Sequence, residues 1–420
     1  MATILYAWEL GGGLGHILRS LPLAQKLAAR GHRVIATLRE LRRAENAFGG
    51  AAVQYLPAPH LAWRIPDPIE PVRKYADLLH NVGFAHAEDL RILTRAWQTL
   101  FALVRPDLIL CDHSPSALLA ASIDEIPCAL IGTGFCCPPA GATLPNLRSW
   151  LKGNAPVPQR SLVNGEGTKH PQTGPLPKGE RDERVLANIN EIRAARGNAR
   201  WVRLSQLYSS VAETFLTTFA ELDHFPDRGD AKYLGAWESD QGKAFAWPSG
   251  NGPRVFMYTH RFPARDWLLE HLRQRGYSTV AYTHDLPREA AEKLVGPTLR
   301  LASAPLDIAQ AAPECDVAIL NAGHNSAAQF LLAGKPLLLL PISLEQGLLM
   351  RRLVEQGLAI SAPPDRPAAI EAALNDLLSN SRYRDAARVF AAKYASYNPE
   401  AAQDRIVARI EELAQAAAST

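Results

Sequence analysis

"CDVAILNAGHNSAAQFLLAGKPLLLLPISLEQ", residues 315 to 346, places a polar turn after one apolar run and a second polar turn after another. "DVAIL" and "PLLLLP" have the unbroken apolar character of strands buried on both faces. Between them "SAAQFLLAG" repeats apolar residues at helical spacing and is closed by Gly334, with Pro336 just beyond. Strand, helix and strand in one direction make a crossover unit, which demands a parallel sheet covered by helices. Ligands of open α/β sheets bind outside the carboxyl ends of the strands, where "NAGHNS" and "SLEQ" stand.

The same alternation extends in both directions. Upstream, "RVFMYTH", "RDWLLEHLRQRG", "YSTVAYTH" and "LRLAS" read as strand, helix, strand and strand of the same sheet. At the front, "TILYAWEL", a glycine loop, the helical "ILRSLPLAQKLAARGH" stopping at Gly31, and "RVIATL" form another crossover unit. "PDLILCD" and "PCALIG", separated by the helical "SPSALLAASIDE", extend that first sheet. A chain of 420 residues exceeds what one core usually supports, roughly 250 to 300 residues. The expectation is an α/β protein of two Rossmann-like, doubly wound parallel-sheet domains facing a central cleft. The first covers residues 1–225 and the second 226–400, with a helix at 401–420 packing back on the first. An irregular insert over about residues 135–201, rich in Pro, Gly and basic residues, is either a lid or a solvated loop, and Asp223 to Pro253 reads as the linker and hinge.

Composition narrows the function classes. A hydrophobic fraction of 47%, a charged fraction of 21% and a net charge of +3 describe a soluble globular protein without the basic footprint of a nucleic-acid binder. Cys111, Cys128, Cys136, Cys137 and Cys315 show neither CxxC nor Cys/His spacing, so a disulfide framework and a structural zinc are not expected, and a reducing, cytoplasmic setting fits. The start reads as a strand and not as a signal peptide, and apolar runs fall short of the roughly 20 residues of a membrane span.

Three stretches carry candidate chemistry. "GGGLGH" fails the dinucleotide fingerprint GxGxxG, because His16 stands where the third glycine belongs, and this leaves a nicotinamide or flavin enzyme as a minor alternative. An imidazole at that helix start is able to accept a proton and suits a general base, against the plainer reading of a packed turn histidine. Asp112 ends a strand and is spare, because Ser114 followed by Pro115 already supplies a helix cap. It is therefore a candidate to orient His16, with His113 as a rival base. Gly323, Asn325 and Ser326 open a helix whose N-terminus suits an anion, while Glu345 and Gln346 either meet ligand hydroxyls or, through Ser343 and Gln346, form a capping box.

In that order and spacing these motifs resemble the donor-binding signature of GT-B-fold, family 1 UDP-glycosyltransferases, and "GGLGHILRSLPLAQKLAARGHRV", "RPDLILCD" and "TFLTTFAELDHF" are similar to the same family's first turn, Asp-bearing strand and domain junction. The resemblance implies His16 as base and Asp112 as its partner. It implies Asn321, Gly323, His324, Asn325, Ser326 and Thr259 at the donor diphosphate, Gln329 at the ribose, and Glu345 with Gln346 at the donor sugar. Asn321 replaces the family's histidine at the head of the turn, Gln329 replaces its acidic residue, and "LRLASAPLDIAQ" lacks the tryptophan that many members stack on the base. The implied activity is inverting sugar transfer from a nucleotide sugar, with UDP the expected nucleotide, to the hydroxyl of a small-molecule or lipid-linked acceptor. The acceptor would lie against the first domain near residues 135–201, while the loop holding Trp63 and Arg64 reads first as ordinary surface and only second as an acceptor contact. No cofactor beyond that co-substrate and no metal are expected, since no Asp-x-Asp occurs in the chain. Neither nucleic acid nor an integral membrane segment enters the reading. A non-catalytic nucleotide-sugar binder and a sugar-nucleotide 2-epimerase on the same fold are the alternatives.

Overall fold

The computed structural model describes residues 1–12, 15–42, 44–48, 52–61, 65–139, 141–150, 180–226, 228–237 and 242–418. Gly13, Trp63 and Arg64, and residues 151–179 of the expected insert, lie outside them.

Two six-stranded sheets organise the chain, and every strand pair in them is parallel. The first contains β1 (Thr3–Trp8), β2 (Arg33–Leu38), β3 (Val53–Pro57), β4 (Leu108–Asp112), β5 (Cys128–Gly132) and β6 (Glu213–Leu216), in the order β3-β2-β1-β4-β5-β6. The second contains β7 (Arg254–Thr259), β8 (Ser278–Thr283), β9 (Leu299–Ala302), β10 (Val317–Leu320), β11 (Leu337–Leu339) and β12 (Ala359–Ser361), in the order β12-β11-β10-β7-β8-β9. Strand order reverses between β1 and β4 in one sheet and between β7 and β10 in the other, and such switch points open a crevice at the carboxyl ends. Register places Trp8 beside Asp112 at the first and Tyr258 beside Leu320 at the second.

Apolar side chains cover both faces of each sheet, as a parallel sheet requires. The Pro399–Ala418 helix lies on the first lobe. Its Ile406, Val407, Ile410 and Ala414 join Ile4, Tyr6, Trp8 and Ile17 in one cluster, while Lys26–Asp404 (2.8 Å) and Arg30–Glu411 (2.9 Å) flank the seam.

The structure sharpens two expectations. The 135–201 region is not irregular throughout, because residues 180–194 form a helix whose Val185, Ile189 and Ile192 recur at helical spacing and pack into the first lobe's core. Nor is the Asp223 end of the linker loose. Asp223 is buried, paired with Arg228 and bonded by Tyr233 Oη (3.0 Å), and its carbonyl accepts from Arg352 Nε of the second lobe (3.2 Å). Asp223 thus fixes this end of the linker, its carboxylate held by Arg228 and Tyr233 and its backbone carbonyl by Arg352. It is not a hinge.

Candidate functional site

In the first lobe, β1 ends at Trp8 and the chain turns into the Gly15–Ala29 helix, which carries His16 in its first turn and Arg19 three residues on, on the same face. Asp112 closes β4 beside them with no exposed surface. Its Oδ2 lies 2.9 Å from His16 Nδ1, 3.1 Å from Arg19 Nη1 and 2.6 Å from Tyr6 Oη, which donates to it. The His16 N–H is off the line to the carboxylate, as catalytic hydrogen bonds often are before substrate arrives. Burial alone would raise the Asp112 carboxyl. The charges of His16 and Arg19, the close His16 contact and the bond from Tyr6 overcome this and hold it well below the usual carboxylate range.

With Nδ1 turned to Asp112, the other ring nitrogen of His16 faces the glycine loop. A Cβ on Gly11 would sit 2.9 Å from Nε2, and Gly11 has φ +86°, so only glycine fits. The indole of Trp8 stacks on the imidazole, with centroids 4.9 Å apart and planes at 18°, well placed to stabilise a cationic ring. His113, the rival base, is buried with φ +50°, and burial followed by the charge of His16 pushes it down to about 3. Such a ring stays neutral and is a very weak proton acceptor.

In the second lobe, Ala322 in a left-handed conformation (φ +59°) aims the chain into the His324–Leu332 helix, capped by Gly323. The N–H groups of His324, Asn325 and Ser326 have no intrahelical acceptor, and open space lies beside the Gly323 Cα. Thr259 ends β7 with a buried Oγ1 that has no hydrogen-bond partner. Asn321 is placed otherwise than the diphosphate assignment implies. Its Oδ1 accepts from His260 N (2.5 Å) and its Nδ2 donates to Leu340 O (2.6 Å), so the amide ties the ends of β7, β10 and β11 together. Gln329 is half-buried in the second turn of the same helix. Gln346 realises the capping alternative: its N–H donates to Ser343 Oγ (3.3 Å) and its Oε1 accepts from Ile342 N (2.9 Å), at the start of the Leu344–Glu355 helix.

The two lobes meet at these helix starts. His324 Nε2 lies 2.7 Å from Thr218 Oγ1 of the first lobe, and Glu345 Oε1 lies 3.9 Å from His224 Nε2. Burial pushes the Glu345 carboxyl up, opposed by His16 and Arg19 and reinforced by Asp112, so the field of the first-lobe cluster reaches across the cleft. Thus His16 with Asp112 and Glu345 share one electrostatic neighbourhood. Tyr6, Trp8, Arg19, Thr218 and His224 also belong to it.

Among the described residues, His16, Asp112 and Cys136 form the single group able to offer three metal ligands. Their chemistry opposes a cation. The Arg19 guanidinium already occupies the Asp112 carboxylate, and burial pushes the Cys136 thiol well above its ordinary value, disfavouring the thiolate a metal needs.

No protein-family model matches the chain, and no curated protein sequence matches it. Solved structures do. The calicheamicin glycosyltransferase CalG4 superposes with a TM-score of 0.70 at 18% identity, over 97% of this chain and 98% of its own. SsfS6 from Streptomyces sp. SF2575, complexed with thymidine diphosphate, gives 0.60 at 18% identity over 98% and 100%. The spinosyn rhamnosyltransferase SpnG, complexed with spinosyn aglycone, gives 0.62 at 16% identity over 97% and 100%. The fold is GT-B. The likeness to those glycosyltransferases runs over nearly the whole chain and so takes in both lobes.

Proposed function

We propose that this chain is an inverting glycosyltransferase that moves a hexose-type sugar from a pyrimidine nucleoside diphosphate to the hydroxyl of a small-molecule acceptor, without a metal. The observation that carries the reading is the His16–Asp112 pair at the first switch point, set across the cleft from the helix starts of His324 and Glu345. His16 Nε2 takes the acceptor proton as the oxygen attacks the anomeric carbon from the face opposite the leaving group. Asp112 and the Trp8 face stabilise the imidazolium so formed. Charge grows on the departing diphosphate, and the N–H groups at residues 324 to 326 with the Thr259 hydroxyl neutralise it as preorganised donors. Gln329 serves the ribose, and Glu345 with the free end of the Gln346 amide serves the sugar hydroxyls. Asn321 supports the diphosphate turn from behind.

UDP is the expected nucleotide, and thymidine diphosphate is the alternative because SsfS6 binds it. A small-molecule acceptor is supported by the aglycone complex of SpnG. Among the described residues no helix is long and apolar enough to cross a membrane.

The test combines calorimetric binding with diphosphate release over UDP- and dTDP-sugars and a panel of hydroxylated aglycones. His16→Ala is expected to bind donor as the wild type does while transfer falls about 10²- to 10⁴-fold. Undiminished transfer would remove the base assignment. Donor conversion without acceptor would favour the epimerase, and donor binding without turnover by the wild type would favour the binder.

A further inference from the structure

We infer that His224 is a positioning residue for Glu345, fixing the carboxylate that meets the donor sugar; the inference rests on the donor-site reading above. His224 lies in "AELDHF", the stretch that follows β6 and leads towards the second lobe, and its side chain is fully buried. The backbone N–H of Phe135 donates to its Nδ1 at 3.2 Å. An amide N–H can only donate, so Nδ1 carries the lone pair. Burial, then the competing His324 ring and the charges of Arg228 and Arg19, push this ring well below the ordinary histidine range, and it is neutral. Its one proton is therefore on Nε2.

That N–H is buried and has no hydrogen-bond partner, yet it faces Glu345 Oε1 at 3.9 Å. The neighbouring rings are no rival acceptors: His324, stacked at 6.2 Å, already uses its Nε2 with Thr218 Oγ1, and Phe135 at 5.8 Å offers only carbon. The Glu345 side chain is 38% exposed and sits in the first turn of a second-lobe helix. An approach of about 1 Å brings the pair to ordinary hydrogen-bond length. Closure of the lobes on a nucleotide sugar supplies that approach. The N–H then holds one carboxylate oxygen in a charge-assisted bond, alongside the bond Glu345 receives from the Thr133 side chain, and fixes the carboxylate for a sugar hydroxyl.

Two near-isosteres separate the two nitrogens. H224N keeps an acceptor where Nδ1 was, preserving the Phe135 bond, but removes the Nε2 donor. H224Q keeps a donor at the Nε2 position and loses the acceptor. Affinities are measured by calorimetry for UDP and dTDP and for UDP-glucose, UDP-N-acetylglucosamine, dTDP-glucose and dTDP-rhamnose, using the sugar nucleotide that the wild type binds tightest. In H224N the extra affinity conferred by the sugar is expected to fall about tenfold, with affinity for the bare nucleotide unchanged. H224Q keeps most of it, and H224N/E345Q is no worse than E345Q. A merely structural role would weaken bare nucleotide as well and would not distinguish Asn from Gln. If H224N keeps the sugar increment, or its loss adds to that of E345Q, the His224 inference fails while the donor site stands. A wild type with no sugar increment overturns both.

Discussion

At the residue scale, the pairing of Asp112 with Arg19 gives the site two separable kinds of dependence. Asp112→Asn leaves a buried guanidinium without its counter-charge, which typically costs about 3–5 kcal/mol of stability, and also removes the group that orients His16. His16→Ala leaves the Arg19–Asp112 pair intact. Both variants are expected to lose transfer by about 10²-fold or more, but only Asp112→Asn should show a large drop in thermal midpoint. Equal melting of the two would deny Asp112 its structural share. His16 and Asp112 were legible in the sequence because a strand end and a helix start are local patterns, and both fall at the sheet's switch point. Tyr6, Trp8 and Arg19 were hidden among core positions. Tyr6 and Trp8 are alternate residues on one face of β1, and Arg19 is one turn beyond His16, so periodicity held the signal without showing that it mattered. His224 left no local signal, since its role depends on a residue more than a hundred positions away.

At the element scale, the Pro115–Ile123 helix is capped from outside its own sequence. Ser114 holds the cap position but its side chain makes no cap bond. The carboxylate of Glu9 at the end of β1 accepts from Ser116 N instead (3.1 Å), which corrects the assignment of that cap to Ser114. Burial raises the Glu9 carboxyl to about 7, with the bonds from Ser116 only partly restraining it. A raised acid contributes stability that is fully present below its unfolded value of 4.5 and is lost as pH climbs through 7. Glu9→Gln keeps an acceptor without the charge. It should match the wild type at pH 4.5 and exceed it at pH 8 by up to about 3 kcal/mol in chemical denaturation. No gain at pH 8 would mean that Glu9 is solvated when ionised. The sequence showed nine strands of the two sheets but not β3, β6 or β12, of which β6 and β12 have only four and three residues. The Glu180–Ala194 helix was obscured because its apolar stripe is narrow amid charged residues.

For the whole molecule, neutral buried histidines set the acid limit. His113 and His324 are pushed down to about 3, and His224 lies well below its ordinary value, in each case chiefly by burial. A depressed histidine contributes stability that is present above its unfolded value of 6.5 and is lost as pH falls below it. Each costs about 1.4 kcal/mol per pH unit once the unfolded ring is protonated. Glu9 opposes the trend, so the net loss between pH 6 and 5 is on the order of 2 kcal/mol per pH unit, read as a falling thermal midpoint. A midpoint that stays level over that interval would contradict the neutral-histidine account.

The central claim joins the lobes: the N-terminal tip of the second-lobe helix at residues 324 to 326 and the imidazole of His16 serve one bound nucleotide sugar. A crystal structure of the protein with UDP or thymidine diphosphate tests it most directly. The diphosphate should accept from the N–H groups of that helix turn and from Thr259 Oγ1, with its terminal phosphate directed across the cleft towards His16. A nucleotide seated in the first lobe, or one whose terminal phosphate points away from His16, would contradict the account.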